Sequence, residues 1–236
     1  MGARPLTTLP QRTAGRARRL VAACRERVVT RGFRRQAAEL ASGHPAEYRA
    51  YLETQLERSV RRRANDPGVG QQILVAAAAA AAPPGAAVLC IGCRNGRELD
   101  AFRAQGFDDV RGIDIFSQRA DILVMDMHSL AFPDATFDVV YSAHALEHAH
   151  DVDQVAGEAL RVVREGGTVA VEVPVRHKGS TADVVVFEGI DSLSVLFEGA
   201  IGEVLLREEA GPRSERNDQG SDIARLVFRV RRSLSV

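Results

Sequence analysis

The stretch AAVLCIGCRNGRELDAF, residues 86–102, contains the turn around which the rest of this chain is organised. An apolar run with strand character, AAVLCIG over residues 86–92, ends in Gly92, and a pattern with helical spacing begins just before Gly96. A strand, a tight turn and a helix in that order open an α/β sheet, and a ligand comes closest to the backbone at that turn. Gly92 and Gly96 supply conformations or close approaches that side chains disfavour, and Asn95 is among the few other residues that tolerate the left-handed region. The dinucleotide fingerprint G-x-G-x-x-G is not met, because position 97 is arginine.

Downstream of this turn, short apolar runs alternate with helical stretches. The strands expected are 110–116 (VRGIDIF), 121–126 (DILVMD), 137–142 (FDVVYS) and 167–175 (GTVAVEVPV), with helices over 95–105 and 151–164. Near-continuous apolar strands separated by helices predict a doubly wound, mostly parallel sheet covered on both faces. The remainder offers a helix at 189–198 and strands near 203–208 and 223–231. Two successive strands without a helix between them predict an antiparallel hairpin at one sheet edge, completing seven strands. The second strand ends in Asp114, 18 residues beyond Gly96, where a carboxylate can accept both hydroxyls of a ribose.

Upstream the pattern is helical. Apolar residues at helical spacing predict helices over 16–41 (Leu20, Val21, Cys24, Val28) and 45–63 (Tyr48, Tyr51, Leu52, Leu56, Val60), divided by Gly43 and Pro45. The alanine-rich segment 68–82 predicts a third helix stopped by Pro83 and Pro84. Residues 1–67 are therefore read as a helical extension and 68–236 as the α/β domain. The extension is basic: residues 1–63 hold 15 Arg against 5 Glu, and the rest of the chain is acidic by the same margin, so the formal charge is zero. Either the extension lies on the acidic body, as a lid over the cleft or a dimerisation element, or it meets an anionic partner. Few aromatics accompany the arginines, which argues against nucleic acid and for a small molecule, with an anionic one as the preference.

The hydrophobic share of 45% and the charged share of 26% are those of a globular protein. No apolar run reaches the roughly 20 residues that span a bilayer, so no membrane role is expected and the cytoplasm is the expected location. Three cysteines, an odd count, suit a reducing compartment. Cys90 and Cys93 spell a C-x-x-C pair, but at a strand end and loop instead of a helix start, and no second pair completes a zinc site. His144 to His148 spell H-x-x-E-H, a zinc-protease pattern that needs a long helix; here it abuts a strand and precedes Asp151, a helix-start residue. No metal is expected.

From residue 85 to about 174 the sequence resembles the class I S-adenosylmethionine (SAM) dependent methyltransferases. The resemblance rests on F-P-D-x-x-F-D-x-V at Phe132–Val140, L-E-H at Leu146–His148, and R-V-x-x-x-G-G at Arg161–Gly167. It implies a Rossmann-like sheet whose last strand is antiparallel, SAM as cofactor, and methyl transfer to a small-molecule acceptor. Position by position, it implies that Gly92 and Gly96 turn under the methionyl part with Cys93 and Arg94 between them, and that Asp114 holds the ribose, with Ile115 adjacent. It further implies that Asp126 accepts from the adenine amino group beside Met127, and that Ser142 to His144 face the sulfonium. His144 and His148 are the candidate bases, with Glu172 and His177 nearby. Two departures stand out: Cys90 replaces an acid and Arg94 replaces a glycine, and either Arg94 or Arg97 could pair with the methionyl carboxylate. These departures keep two alternatives open, an intramolecular cyclisation that releases methylthioadenosine and a non-catalytic SAM-binding protein.

Overall fold

The computed structural model describes residues 32, 35, 36, 38–61, 69–117, 119–177 and 182–231. The expected helix from residue 16 lies, up to residue 31, outside them; residues 38–41 are helical. Helix α1 is Ala46–Arg61 and α2 is Val69–Ala81, which ends before the proline pair. Then follow β1 (Val88–Ile91), α3 (Arg97–Ala104), β2 (Val110–Asp114), β3 (Ile122–Val124) and β4 (Phe137–Ala143). A 3-10 turn at Leu146–His148, α4 (Val152–Val162), β5 (Val163–Pro174), α5 (Ile190–Val195), β6 (Ile201–Ala210) and β7 (Ile223–Val230) complete the order.

The seven strands form one sheet in the order β3-β2-β1-β4-β5-β7-β6, with β7 antiparallel to both its neighbours and the first five strands parallel. The expected hairpin is present, but its second strand is the one inserted beside β5, leaving β6 at the edge. Strand β3 is shorter than its apolar run, because Met125 and Asp126 turn away into the loop that donates Met125 N–H to the Asp114 carbonyl at 3.1 Å.

All four residues of β1 are buried, and they alternate between two cores. Leu89 and Ile91 join the cluster under α4 and α5, with Val140, Val171 and Phe228. Val88 and Cys90 join the one under α2 and α3, with Leu74, Ala78, Leu99, Phe102 and Tyr141. An apolar strand without polar alternation is the mark of a sheet covered on both faces. The alanines of α2 allow that helix to lie close on β5, β4 and β7, while Leu74 and Val75 fill the interface. Helix α4 starts where Asp151 accepts the Gln154 N–H at 3.0 Å, a side-chain cap for an otherwise orphaned donor. No helix among the described residues is long and apolar enough to cross a membrane.

Candidate active site

The carboxyl ends of β1, β2, β4 and β5 converge on one cleft, as strand order reverses between β1 and β4. Gly92 turns the chain at φ +74, and a β-carbon there would stand 2.4 Å from that of Ala145, so only glycine lets the loop press against the turn after β4. The loop is pinned by backbone donors: Gly92 N–H reaches the Ile113 carbonyl at 2.9 Å, and Arg94 N–H reaches Asp114 Oδ2 at 2.9 Å. Arg119 buttresses it from outside, donating to the carbonyls of Asn95 at 3.2 Å and Gly96 at 3.4 Å while held by Asp100 and Asp121. Burial pushes the Cys90 and Cys93 thiols well above their ordinary range, so neither is a thiolate near neutrality.

Asp114 sits at the tip of β2. Its Oδ1 accepts from Phe116 N–H at 3.0 Å and its Oδ2 from Arg94, which leaves lone pairs for further donors. Burial raises its carboxyl to about 6 despite those two donors and the nearby Arg94 charge. Ile115 packs under Tyr48, Tyr51 and Leu52 of α1, so this helix lies over this end of the cleft. Gln36 secures the same region, exchanging two hydrogen bonds with the backbone of Ser117, at 2.6 and 3.0 Å. Asp126 is engaged by protein groups: Tyr48 donates its hydroxyl to Oδ2, and His128 brings its N–H and its Nδ1 to Oδ1 at 2.9 and 2.7 Å. His128 Nε2 accepts from the N–H groups of His150 and Asp151, at 3.1 and 3.2 Å, so Nδ1 carries the proton given to Asp126.

At the ends of β4 and β5 acids and imidazoles alternate. His144, in the left-handed region at φ 54, donates its N–H to the Glu172 carbonyl at 2.9 Å and holds Nε2 2.8 Å from Glu172 Oε1. Glu172 is fully buried and paired with Arg225, a fully buried arginine of β7 that also reaches Glu208 Oε1 at 2.6 Å and the Arg216 carbonyl at 2.7 Å. Glu147 Oε1 lies 3.8 Å from His144 Nδ1 and 3.4 Å from His148 Nε2. His148 Nδ1 lies 2.9 Å from Asp183 Oδ1, and burial holds this imidazole below its usual value. His144, Glu147 and His148 thus occupy a strand end and a 3-10 turn, and among the described residues no group of His, Cys, Asp or Glu is arranged to hold a metal ion.

These groups border a cavity of about 550 Å³. Of the residues expected from sequence, Gly92, Cys93, Arg94, Asp114, Ile115, Met127, His144 and His148 line it; Gly96, Asp126 and Ser142 do not. Gly96 caps α3 under the Arg119 guanidinium, and the Ser142 hydroxyl is buried in the sheet. Sequence reasoning missed Glu98, Gln55 and Arg58 in the lining, Tyr48 on Asp126, and Arg225 behind Glu172. Glu98 follows the glycine turn closely enough to have been flagged; the pairings of Tyr48 and Arg225 span the fold and leave no local signature.

Residues 89–171 match the methyltransferase domain family. A 2-methyl-6-phytyl-1,4-hydroquinone methyltransferase of Synechocystis is 36% identical over 100 residues, covering 37% of this chain and 31% of that protein. A probable S-adenosylmethionine-dependent methyltransferase of Mycolicibacterium smegmatis is 35% identical over 101 residues, 39% of each chain. The chain therefore spans roughly a third of the length of these curated relatives. Among solved structures, the 1,6-didemethyltoxoflavin-N1-methyltransferase of Burkholderia thailandensis, with 1,6-didemethyltoxoflavin and S-adenosylhomocysteine bound, shares the fold at a TM-score of 0.61 and 17% identity, over 80% of this chain and 91% of that one. The segment 89–171 thus carries the sequence pattern of the methyltransferase domain family, inside a seven-stranded sheet that shares the fold of that solved structure.

Proposed function

We propose that this protein binds SAM in the cleft and transfers its methyl group to a small polar acceptor. The observation that carries the reading is the cavity wall itself, where a glycine turn and a buried carboxylate with spare lone pairs stand at adjacent strand tips. Asp114 suits the ribose hydroxyls, the Gly92 turn suits close approach of the methionyl chain, and Met127 and Ile115 offer apolar contact to the adenine. Arg94 or Arg97 suits the methionyl carboxylate, because a guanidinium matches a carboxylate in two hydrogen bonds.

When bound, SAM supplies a methyl group on an already activated sulfonium, so the protein's tasks are orientation and removal of one proton. His144 is suited to the second task. Its Nε2 stands 2.8 Å from Glu172 Oε1, so when the ring takes the acceptor's proton the anchored carboxylate stabilises the imidazolium that results. Glu147 stands on the other side of the ring and His148 continues the series. Gln55, Arg58, His177, Asp183, Gln219 and Ser221 give the remaining wall a polar character, which favours a hydrophilic and preferably anionic acceptor over a lipid. Residues 1–67 serve as a lid in this reading, supported by the position of α1 on Ile115 and Asp126.

Calorimetry with S-adenosylhomocysteine tests the cofactor assignment, and absence of binding refutes it. Incubation with SAM and polar acceptors, analysed by mass, tests the reaction. S-adenosylhomocysteine with a methylated acceptor supports transfer; methylthioadenosine without methylation points to ring closure, which the methyltransferase names of the relatives disfavour.

A further inference from the structure

Resting on the SAM reading, we propose that Glu98, in the first turn of α3, anchors the cationic amino group of the cofactor's amino-acid portion. The methionyl end of SAM is a zwitterion, so a site that holds it needs a cation and an anion on one wall. Arg94, Arg97 and Glu98 line the cavity together, immediately beyond the Gly92 turn. Asp114 is on the neighbouring strand tip, already committed to two backbone donors and suited to hydroxyls.

Among the described residues, no other acid stands at the end of β1. Cys90 is fully buried in the apolar cluster under α2 and α3, with its thiol protonated. Glu98 stands over that position from the helix side: its charge is felt at the Cys90 and Cys93 thiols and at the buried Tyr141 hydroxyl. The groups that face it are Gln71 of α2, whose Nε2 is 3.5 Å from Glu98 Oε1, Asp114 of β2, His144 beyond β4, and Arg97 on its own helix. Burial, aided by the Asp114 charge, outweighs a backbone hydrogen bond and the His144 and Arg97 charges and holds the Glu98 carboxyl above its usual range. A ligand ammonium placed beside it relieves that imbalance, which is how a site built for a cation behaves before the cation arrives.

The test is calorimetric titration of the whole chain, wild type and Glu98→Gln, with three probes. S-adenosylhomocysteine carries both the amino and the carboxyl group, decarboxylated SAM keeps only the amino group, and methylthioadenosine has neither. Glu98→Gln is expected to weaken the first two by about tenfold or more, the usual worth of a hydrogen bond to a charged group, and to leave methylthioadenosine within about twofold. An equal loss for methylthioadenosine overturns the proposal, since the substitution then acts through the loop; so does unchanged binding of all three. If wild type binds none of the probes, the cofactor reading itself fails, and the proposal with it. Should the variant not fold, the wild-type affinity ratio of S-adenosylhomocysteine to methylthioadenosine serves instead, because Asp114 cancels from it. That ratio is expected to fall on acidification from above the ordinary glutamate range, and a flat ratio overturns the proposal.

Discussion

Asp114 illustrates how one buried carboxylate links affinity to pH. Its raised value, about 6, means that the ionised form exists at neutrality against the cost of burial. If ribose hydroxyls donate to that ionised form, as proposed, binding lowers the value again and expels a proton from any molecule that was protonated. Affinity for S-adenosylhomocysteine should thus be level above about pH 7 and fall by about tenfold per pH unit well below 6, with proton release seen calorimetrically in buffers of different ionisation enthalpy. Asp114→Ala should cost about 1–3 kcal/mol of binding, and an unchanged dissociation constant would remove Asp114 from the ribose site.

Glu172 works in the opposite sense. Although burial opposes it, His144 and Arg225 hold its carboxyl below the usual range, so it contributes stability that is present above the unfolded value and lost as pH falls through the lower folded one. Glu172→Gln leaves the fully buried Arg225 with only Glu208 and a carbonyl, and should destabilise the fold by about 3–5 kcal/mol in denaturant melts. A melt within about 1 kcal/mol of wild type would mean that Glu208 alone suffices for Arg225.

Among the elements, the glycine turn is set by two neighbours of unlike kind. Ala145 makes contact from the turn after β4, whereas Arg119 holds the turn's carbonyls from the loop beyond β2. Gly92→Ala meets both a left-handed backbone and the Ala145 methyl group, and should cost about 1–3 kcal/mol in stability together with most cofactor affinity. Arg119→Ala should shift the melt by less than about 1 kcal/mol, since its ion pairs are largely solvent-exposed, yet weaken S-adenosylhomocysteine binding by loosening the turn. Loss of stability without loss of affinity would place Arg119 outside the binding machinery. The strands at these elements were legible because both faces of β1, β4 and most of β5 are covered, so their sequences are dominated by apolar residues. Strand β3 was overestimated: nothing in DILVMD signals that its last residues leave the sheet to bring Asp126 to Tyr48.

Across the whole molecule, helix α1 and the sheet meet at the end of the cleft that holds Ile115 and Asp126. Tyr48 and His128 occupy both oxygens of Asp126, so an adenine amino group seeking that carboxylate has to share it or displace Tyr48. Tyr48→Phe removes the competitor and should tighten S-adenosylhomocysteine binding by about threefold to tenfold, the worth of one exchanged hydrogen bond. Unchanged affinity would indicate that adenine uses other contacts. The helical character of residues 46–61 was readable from its period, but its docking was not, since Tyr48 and Asp126 are far apart in sequence and neither residue type announces the other.

Arg225 lies far along the polypeptide from Glu172, on the strand that enters the sheet against the direction of the others. A nascent chain released from the ribosome before residue 225 would lack both the guanidinium that pairs with Glu172 and the strand that covers the outer edge of β5. In such a fragment β5 stays an open edge, so the order of synthesis makes the Glu172 pairing one of the last contacts to form.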